Sequence, residues 1–265
     1  MSALEPPHLL ILGGTAEGAA LAAAAETAFG AALRITTSLA GRTPRPAPLP
    51  GRVRMGGFGG AAAMAAYLVA ERVLLVVDAT HPFAVRISAE AAEACRAAAV
   101  PLLAIDRPAW RRHRDDRWIE VGDLSAAATA LSDLGRRVFL TVGGRGLEAF
   151  AGLAHHHFLL RLVGAPAAPP PLPSYALLLA RGPFTLADER RILAEHAIEV
   201  LVAKASGGGA TEAKLVAARE RGLPVVMVRR PSKPVGERVD GVAAAIGWIQ
   251  SQLPIARRLR EERGS

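Results

Sequence analysis

Leu74-Leu75-Val76-Val77-Asp78-Ala79-Thr80-His81-Pro82-Phe83 is the stretch whose reading decides the fold. Four consecutive apolar residues read as a strand buried on both faces. The run then breaks into Asp78, Thr80 and His81, and Pro82 stops any continuation of the strand. Helix-compatible sequence follows over 85–98. In an open parallel sheet, ligands bind in the crevice outside the strand C-termini. A carboxylate, a hydroxyl and an imidazole therefore gather where a site is expected. The competing reading makes Asp78 and Thr80 caps of the next helix.

The same alternation of strand and helix extends in both directions. Strands are predicted over 8–12, 33–37, 52–55, 73–77 and 101–105, with helices over 17–29, 61–70 and 85–98. A charged segment, 106–117, interrupts the pattern, which then restarts. Strands are predicted over 118–121, 138–141, 157–162, 175–179, 200–203 and 225–228. Helices are predicted over 124–134, 147–151, 186–196, 211–221 and 242–252, the first of them capped by Asp123. The pattern predicts an α/β protein of two Rossmann-like, doubly wound parallel-sheet domains with a cleft between them. The expected division is 1–110 and 111–252, followed by a basic, frayed tail over 253–265. Residues 164–173 read as an extended, proline-rich surface connector.

Composition narrows the function classes. The chain has 265 residues, 51% of them hydrophobic, and a formal charge of +8. No apolar run reaches the ~18 residues of a membrane span, so no membrane role is expected. The residues from Met1 to Pro7 lack a basic, cleavable leader pattern, and Cys95 is the one cysteine. Both features predict a cytoplasmic protein. Only three of the 32 basic residues are lysine, and guanidinium forks suit carboxylates and phosphates. Nucleic-acid binding fits the charge alone: aromatics are 5%, and no nucleic-acid-binding signature is present. The run His155-His156-His157 suggests a metal, but neighbouring strand residues point to opposite faces. No metal site is predicted.

The glycine loops carry the chemistry. Gly13-Gly14-Thr15-Ala16-Glu17-Gly18 follows a strand and opens a helix, as a dinucleotide phosphate cradle does. Gly13 and Gly14 allow amides near an anion, and Thr15 can donate its hydroxyl. The spacing is neither GxGxxG nor a Walker loop. At the end of the second strand, Thr37, Ser38 and Arg42 stand where NAD-binding folds place a carboxylate. That exchange suits a 2′-phosphate and predicts NADPH. Three further strand ends bring cations or amide nests: Arg145 within TVGGRG, Arg181 within RGPF, and Lys204 within KASGGGAT. Together they predict a polyanionic ligand.

These segments together resemble the precorrin-6A reductase family of cobalamin biosynthesis, including its cobalt-precorrin-6A members. The matching pieces are LILGGTAEG at 10–18, TTSLAGR at 36–42, VVDATHPFAVRIS at 76–88, VPLLAIDRPAW at 100–110, LTVGGRGLEAF at 140–150, LLARGPF at 178–184 and the long run over 200–231. They span most of the chain in order. Departures are Ala16, where the family commonly has Ser, Glu90, where it often has Asn, and Ala205, where it often has Asn or Asp. The resemblance implies NADPH-dependent reduction of one double bond of a polycarboxylate tetrapyrrole, metal-free or cobalt-containing. It also admits channelling partners from the same pathway. Carried onto this sequence, it implies Gly13, Gly14, Thr15, Glu17, Thr37, Ser38, Arg42 and Thr80 at the cofactor. Arg145, Arg181, Lys204, Ser206, Gly207 and Thr211 fall to the substrate. His81 and Asp78 are the expected catalytic pair, His81 being the better proton donor because an ordinary imidazole titrates near pH ~6.5. The alternative is a dinucleotide-binding oxidoreductase or sensor for another anionic ligand.

Overall fold

A computed structural model describes residues 5–41, 48–233 and 236–263, with side chains as far as Pro254. The chain divides into two compact units, one of Met1–Arg107 with Pro231–Ser265 and one of Pro108–Arg230. Each holds six strands, and every strand pair is parallel.

The first unit contains β1 (His8–Leu12), β2 (Arg34–Leu39), β3 (Arg52–Met55), β4 (Val73–Asp78) and β5 (Leu102–Ile105). Its helices are α1 (Ala16–Phe29), α2 (Ala61–Ala70) and α3 (Val85–Ala98). All five residues of β1 are buried, which is why its sequence shows no polar alternation. Leu9 and Ile11 pack into one core with α1, while Leu10 and Leu12 pack into the other with α2 and α3. Thr15 caps α1 by accepting from the Gly18 amide at 3.1 Å.

The second unit contains β6 (Arg117–Val121), β7 (Arg137–Leu140), β8 (His157–Leu162), β9 (Tyr175–Leu179), β10 (Val200–Lys204) and β11 (Pro224–Val228). Its helices are α4 (Leu124–Leu131), α5 (Leu186–Glu195) and α6 (Ala213–Glu220). The strand order is β6-β11-β10-β7-β8-β9. Asp123 caps α4 as expected, accepting from the Ala126 amide. The proline-rich segment joins the parallel neighbours β8 and β9 with no helix between them. Of the three histidines, His156 is buried against Phe158 and His157 bonds Ser174.

Residues 231–252 do not belong where the sequence reading put them. They return to the first unit, where β12 (Glu237–Val239) pairs with β5 and extends the order to β12-β5-β4-β1-β2-β3. Helix α7 (Val242–Arg263) then buries Ala245, Trp248 and Ile249 in the α1 core. A three-residue strand containing Glu237 and Arg238 has no apolar run to announce it. The tail expected to fray from 253 is the continuation of α7 as far as Arg263.

Candidate active site

Chain reversal in sheet order marks a crevice in each unit. In the first it falls between β1 and β4, and in the second between β7 and β10. Adjacent loops leaving in opposite directions open a gap at the strand C-termini, the usual place for a ligand.

The glycine turn lies at the first crevice. A Cβ on Gly13 would stand 2.9 Å from Thr37 Cγ2, so only glycine fits there. Gly14 has φ +100° and open space beyond it. A Cβ on Gly18 would meet Gly13 Cα at 3.1 Å, which explains the third glycine as close helix packing. Two details differ from the sequence reading. The Gly13 amide is already given to the Ser38 carbonyl at 2.9 Å. The Thr15 hydroxyl proton is given to the Ala79 carbonyl at 2.6 Å. The groups left to face an anion are therefore amides from Gly14 onward and the first turn of α1. Glu17 is ion-paired with Arg107 at 2.7 Å. Thr37 is fully buried, and its Oγ1 has no hydrogen-bond partner among the described residues. Arg42 lies outside the described residues.

Asp78 at the end of β4 is buried and saturated. Its Oδ1 accepts from the Thr80 amide at 2.9 Å and the Thr80 hydroxyl at 2.6 Å. Its Oδ2 accepts from the Ser88 hydroxyl at 2.5 Å and lies 3.4 Å from Lys233 Nζ. Lys233 also donates to Thr80 Oγ1 at 3.0 Å. A carboxylate with these four partners and no exposure is a hub that shapes the loop. These contacts tie the Asp78 carboxylate to the loop that carries Thr80 and His81. Burial holds the Lys233 ammonium below the usual lysine range, with Asp78 opposing that shift.

His81 is half-buried in the loop that Asp78 anchors. Its Nδ1 accepts from the Phe83 amide at 3.2 Å, and its carbonyl accepts from the Ala84 amide at 2.8 Å. An Nδ1 that accepts carries no proton, which places the neutral ring's proton on Nε2.

In the second unit, Lys204 ends β10 and donates from Nζ to the Val142 carbonyl at 2.6 Å, linking the two loops at the crevice. Arg145 and Arg181 are both exposed at strand ends. The Phe184 amide reaches the Ala210 carbonyl at 3.3 Å, bringing the Arg181 loop to the lysine loop. Ser206 is buried. Gly207 has φ +67°, and a Cβ there would collide with the Pro108 carbonyl; backbone packing accounts for this glycine. Thr211 offers its carbonyl to Lys214 Nζ at 2.7 Å. Burial pushes the Lys214 ammonium down to about 7, with the Arg161 guanidinium adding to the shift.

The family model described as Precorrin-6x reductase CbiJ/CobK matches residues 8–250. The chain belongs to this family. A precorrin-6A reductase of Rhodococcus erythropolis is 49% identical over 243 residues, covering 91% of this chain and 97% of the relative. A precorrin-6A reductase of Rhodobacter capsulatus is 44% identical, covering 91% and 95%. The solved structure of CobK precorrin-6A reductase superposes with a TM-score of 0.88 at 42% identity, covering 93% of this chain and 97% of that one.

The sequence reading missed several residues around these family loops. Trp110 Nε1 donates to the Gly208 carbonyl at 2.8 Å, and Arg230 donates to the Ala205 and Ser206 carbonyls. Both hold the lysine loop. Arg54 lies beside Ser38, and Ser88 and Lys233 complete the Asp78 hub. Tryptophan in the family segment 100–110 was a visible signal; the others are brought together only by strand register or by the returning chain.

Proposed function

We propose that this chain reduces one double bond of metal-free precorrin-6A with NADPH as the reductant. Membership of the reductase family carries the reaction type. The names of the two relatives above favour the metal-free macrocycle. The open cradle at Gly14 and the absence of an acid at the end of β2 support a coenzyme with a 2′-phosphate.

When bound, the reduced nicotinamide supplies a hydride. The chain's own residues do the rest. Amides from Gly14 onward and the first turn of α1 hold the pyrophosphate. Thr15 keeps that turn against the end of β4, and Arg107 keeps the Glu17 carboxylate occupied beside it. Asp78, Thr80, Ser88 and Lys233 hold the following loop. His81, in its imidazolium form, is the proton donor to the reduced macrocycle and is left as the neutral ring. Arg145 and Arg181 meet substrate carboxylates, and Lys204 shapes the loop between them. Gly207 supplies backbone geometry to the lysine loop.

Anaerobic incubation with NADPH and either the metal-free or the cobalt macrocycle tests this reading. Nicotinamide oxidation with the metal-free compound supports it. Oxidation with the cobalt compound alone reassigns the substrate, and oxidation with neither removes the reading.

A further inference from the structure

Strand β3 carries two arginines on one side of the chain, and they differ in their partners. Arg52 meets the Glu71 carboxylate at 3.3 Å. Arg54, two residues on, has no carboxylate partner among the described residues. Its Nη1 donates to the Gly56 carbonyl at 2.7 Å and to Ser38 Oγ at 3.3 Å. Its Nη2 donates to the Gly57 carbonyl at 2.8 Å. The guanidinium carbon stands 3.8 Å from the centre of the Phe58 ring. Neutral carbonyls and a ring face fix the orientation of the fork without cancelling its charge. One Nη2 hydrogen and the Nε hydrogen remain beyond these contacts.

Register puts this fixed cation beside the coenzyme turn. Arg54 is the partner of Ser38 in the β2–β3 ladder. The Ser38 carbonyl in turn accepts the Gly13 amide. One residue thus joins the glycine turn to the guanidinium. The end of β2, where a ribose lies in dinucleotide folds, has hydroxyls and this cation but no acid.

Resting on the coenzyme reading above, we propose that Arg54, together with Ser38, reads the 2′-phosphate and sets the preference for NADPH over NADH. A phosphate there meets a pre-ordered fork and a hydroxyl, so little side-chain freedom is lost on binding. The unphosphorylated ribose of NADH makes no such ionic contact, and its affinity owes nothing to the charge.

The test is coenzyme titration followed by nicotinamide fluorescence, with adenosine 2′,5′-bisphosphate against 5′-AMP as a nicotinamide-free check. Arg54→Gln is expected to weaken NADPH and the bisphosphate about 10- to 100-fold and to leave NADH and 5′-AMP within about twofold. Arg52→Gln is expected to move neither. Arg54→Lys keeps a charge and an aliphatic stem over Phe58, and covers the case in which Arg54→Gln does not fold; it is expected to weaken NADPH selectively but less. Equal loss for both coenzymes in either variant overturns the proposal, because it makes Arg54 only a brace for the Gly56–Gly57 turn. Retained NADPH preference overturns it as well and moves the phosphate to the rest of the loop after β2. Equal affinity for the two coenzymes in the unaltered protein is a separate result, which removes the NADPH reading itself.

Discussion

The Thr15 hydroxyl donates to the Ala79 carbonyl at 2.6 Å while accepting from the Gly18 amide at 3.1 Å. One side chain thereby caps α1 and clamps the glycine turn to the end of β4, two loops that the chain separates by 64 residues. The cradle and the strand end that leads into the His81 loop are thus joined through Thr15.

Thr15→Ala removes both bonds. The loss of a cap costs roughly 0.5–2 kcal/mol, and the freed Ala79 carbonyl adds to it. Urea unfolding is expected to show a drop of about 2 kcal/mol. Thr15→Ser, which keeps the hydroxyl, is expected to recover most of it. A Thr15→Ala protein as stable as the parent contradicts the clamp.

Asp78→Asn separates the positioning role from a catalytic one. It leaves Lys233 without its counter-charge in a largely buried place and puts an NH2 donor where an acceptor oxygen faced donating groups. Removing one partner of such a pair costs about 3 kcal/mol. The midpoint of denaturation is expected to fall, and activity to fall with it at temperatures near that midpoint. Full stability with lost turnover would return Asp78 to the chemistry.

His81→Ala is expected to behave in the opposite way. General acid catalysis contributes about 10²–10⁴-fold, so kcat should fall by that order. NADPH affinity and thermal stability should hold, because His81 is only half-buried. Unchanged kcat between about pH 6 and 9 would remove the imidazole from proton delivery.

Lys214 makes a prediction about pH. Its ammonium is pushed down to about 7 in the folded protein, against ~10.4 in an unfolded chain. Between those values the unfolded state binds more protons, so stability rises with pH. The penalty is complete below pH about 7 and is relieved above it, with a slope of up to ~1.4 kcal/mol per pH unit. Lys214→Met is expected to flatten the rise between pH 7 and 9 and to stabilise the protein at pH 7. An identical slope in the variant contradicts the burial effect.

Much of this was legible in the sequence because parallel strands buried on both faces show as unbroken apolar runs. HLLIL and VLLVVD announced β1 and β4, and the glycines after β1 announced the turn. What stayed hidden depended on chain return or strand register. Lys233 lies 155 residues from Asp78, and its neighbours Pro231 and Ser232 give no hint of the first unit. Arg54 sits on a four-residue strand, and only its pairing with Ser38 makes it part of the site. Thr15 was read as a phosphate donor because a sequence does not reveal that its proton is already engaged. Nor does a sequence reveal that the Asp78 carboxylate is met by Thr80, Ser88 and Lys233.

The most direct test of the account is hydride tracing. Anaerobic single turnover with NADPH deuterated at the transferable position, followed by mass spectrometry of the macrocycle, reports where the hydride goes. One deuterium on the reduced macrocycle, with NADPH oxidised in equal amount, is the predicted result. Oxidised nicotinamide with no label on the macrocycle, or a macrocycle left unreduced, would contradict it.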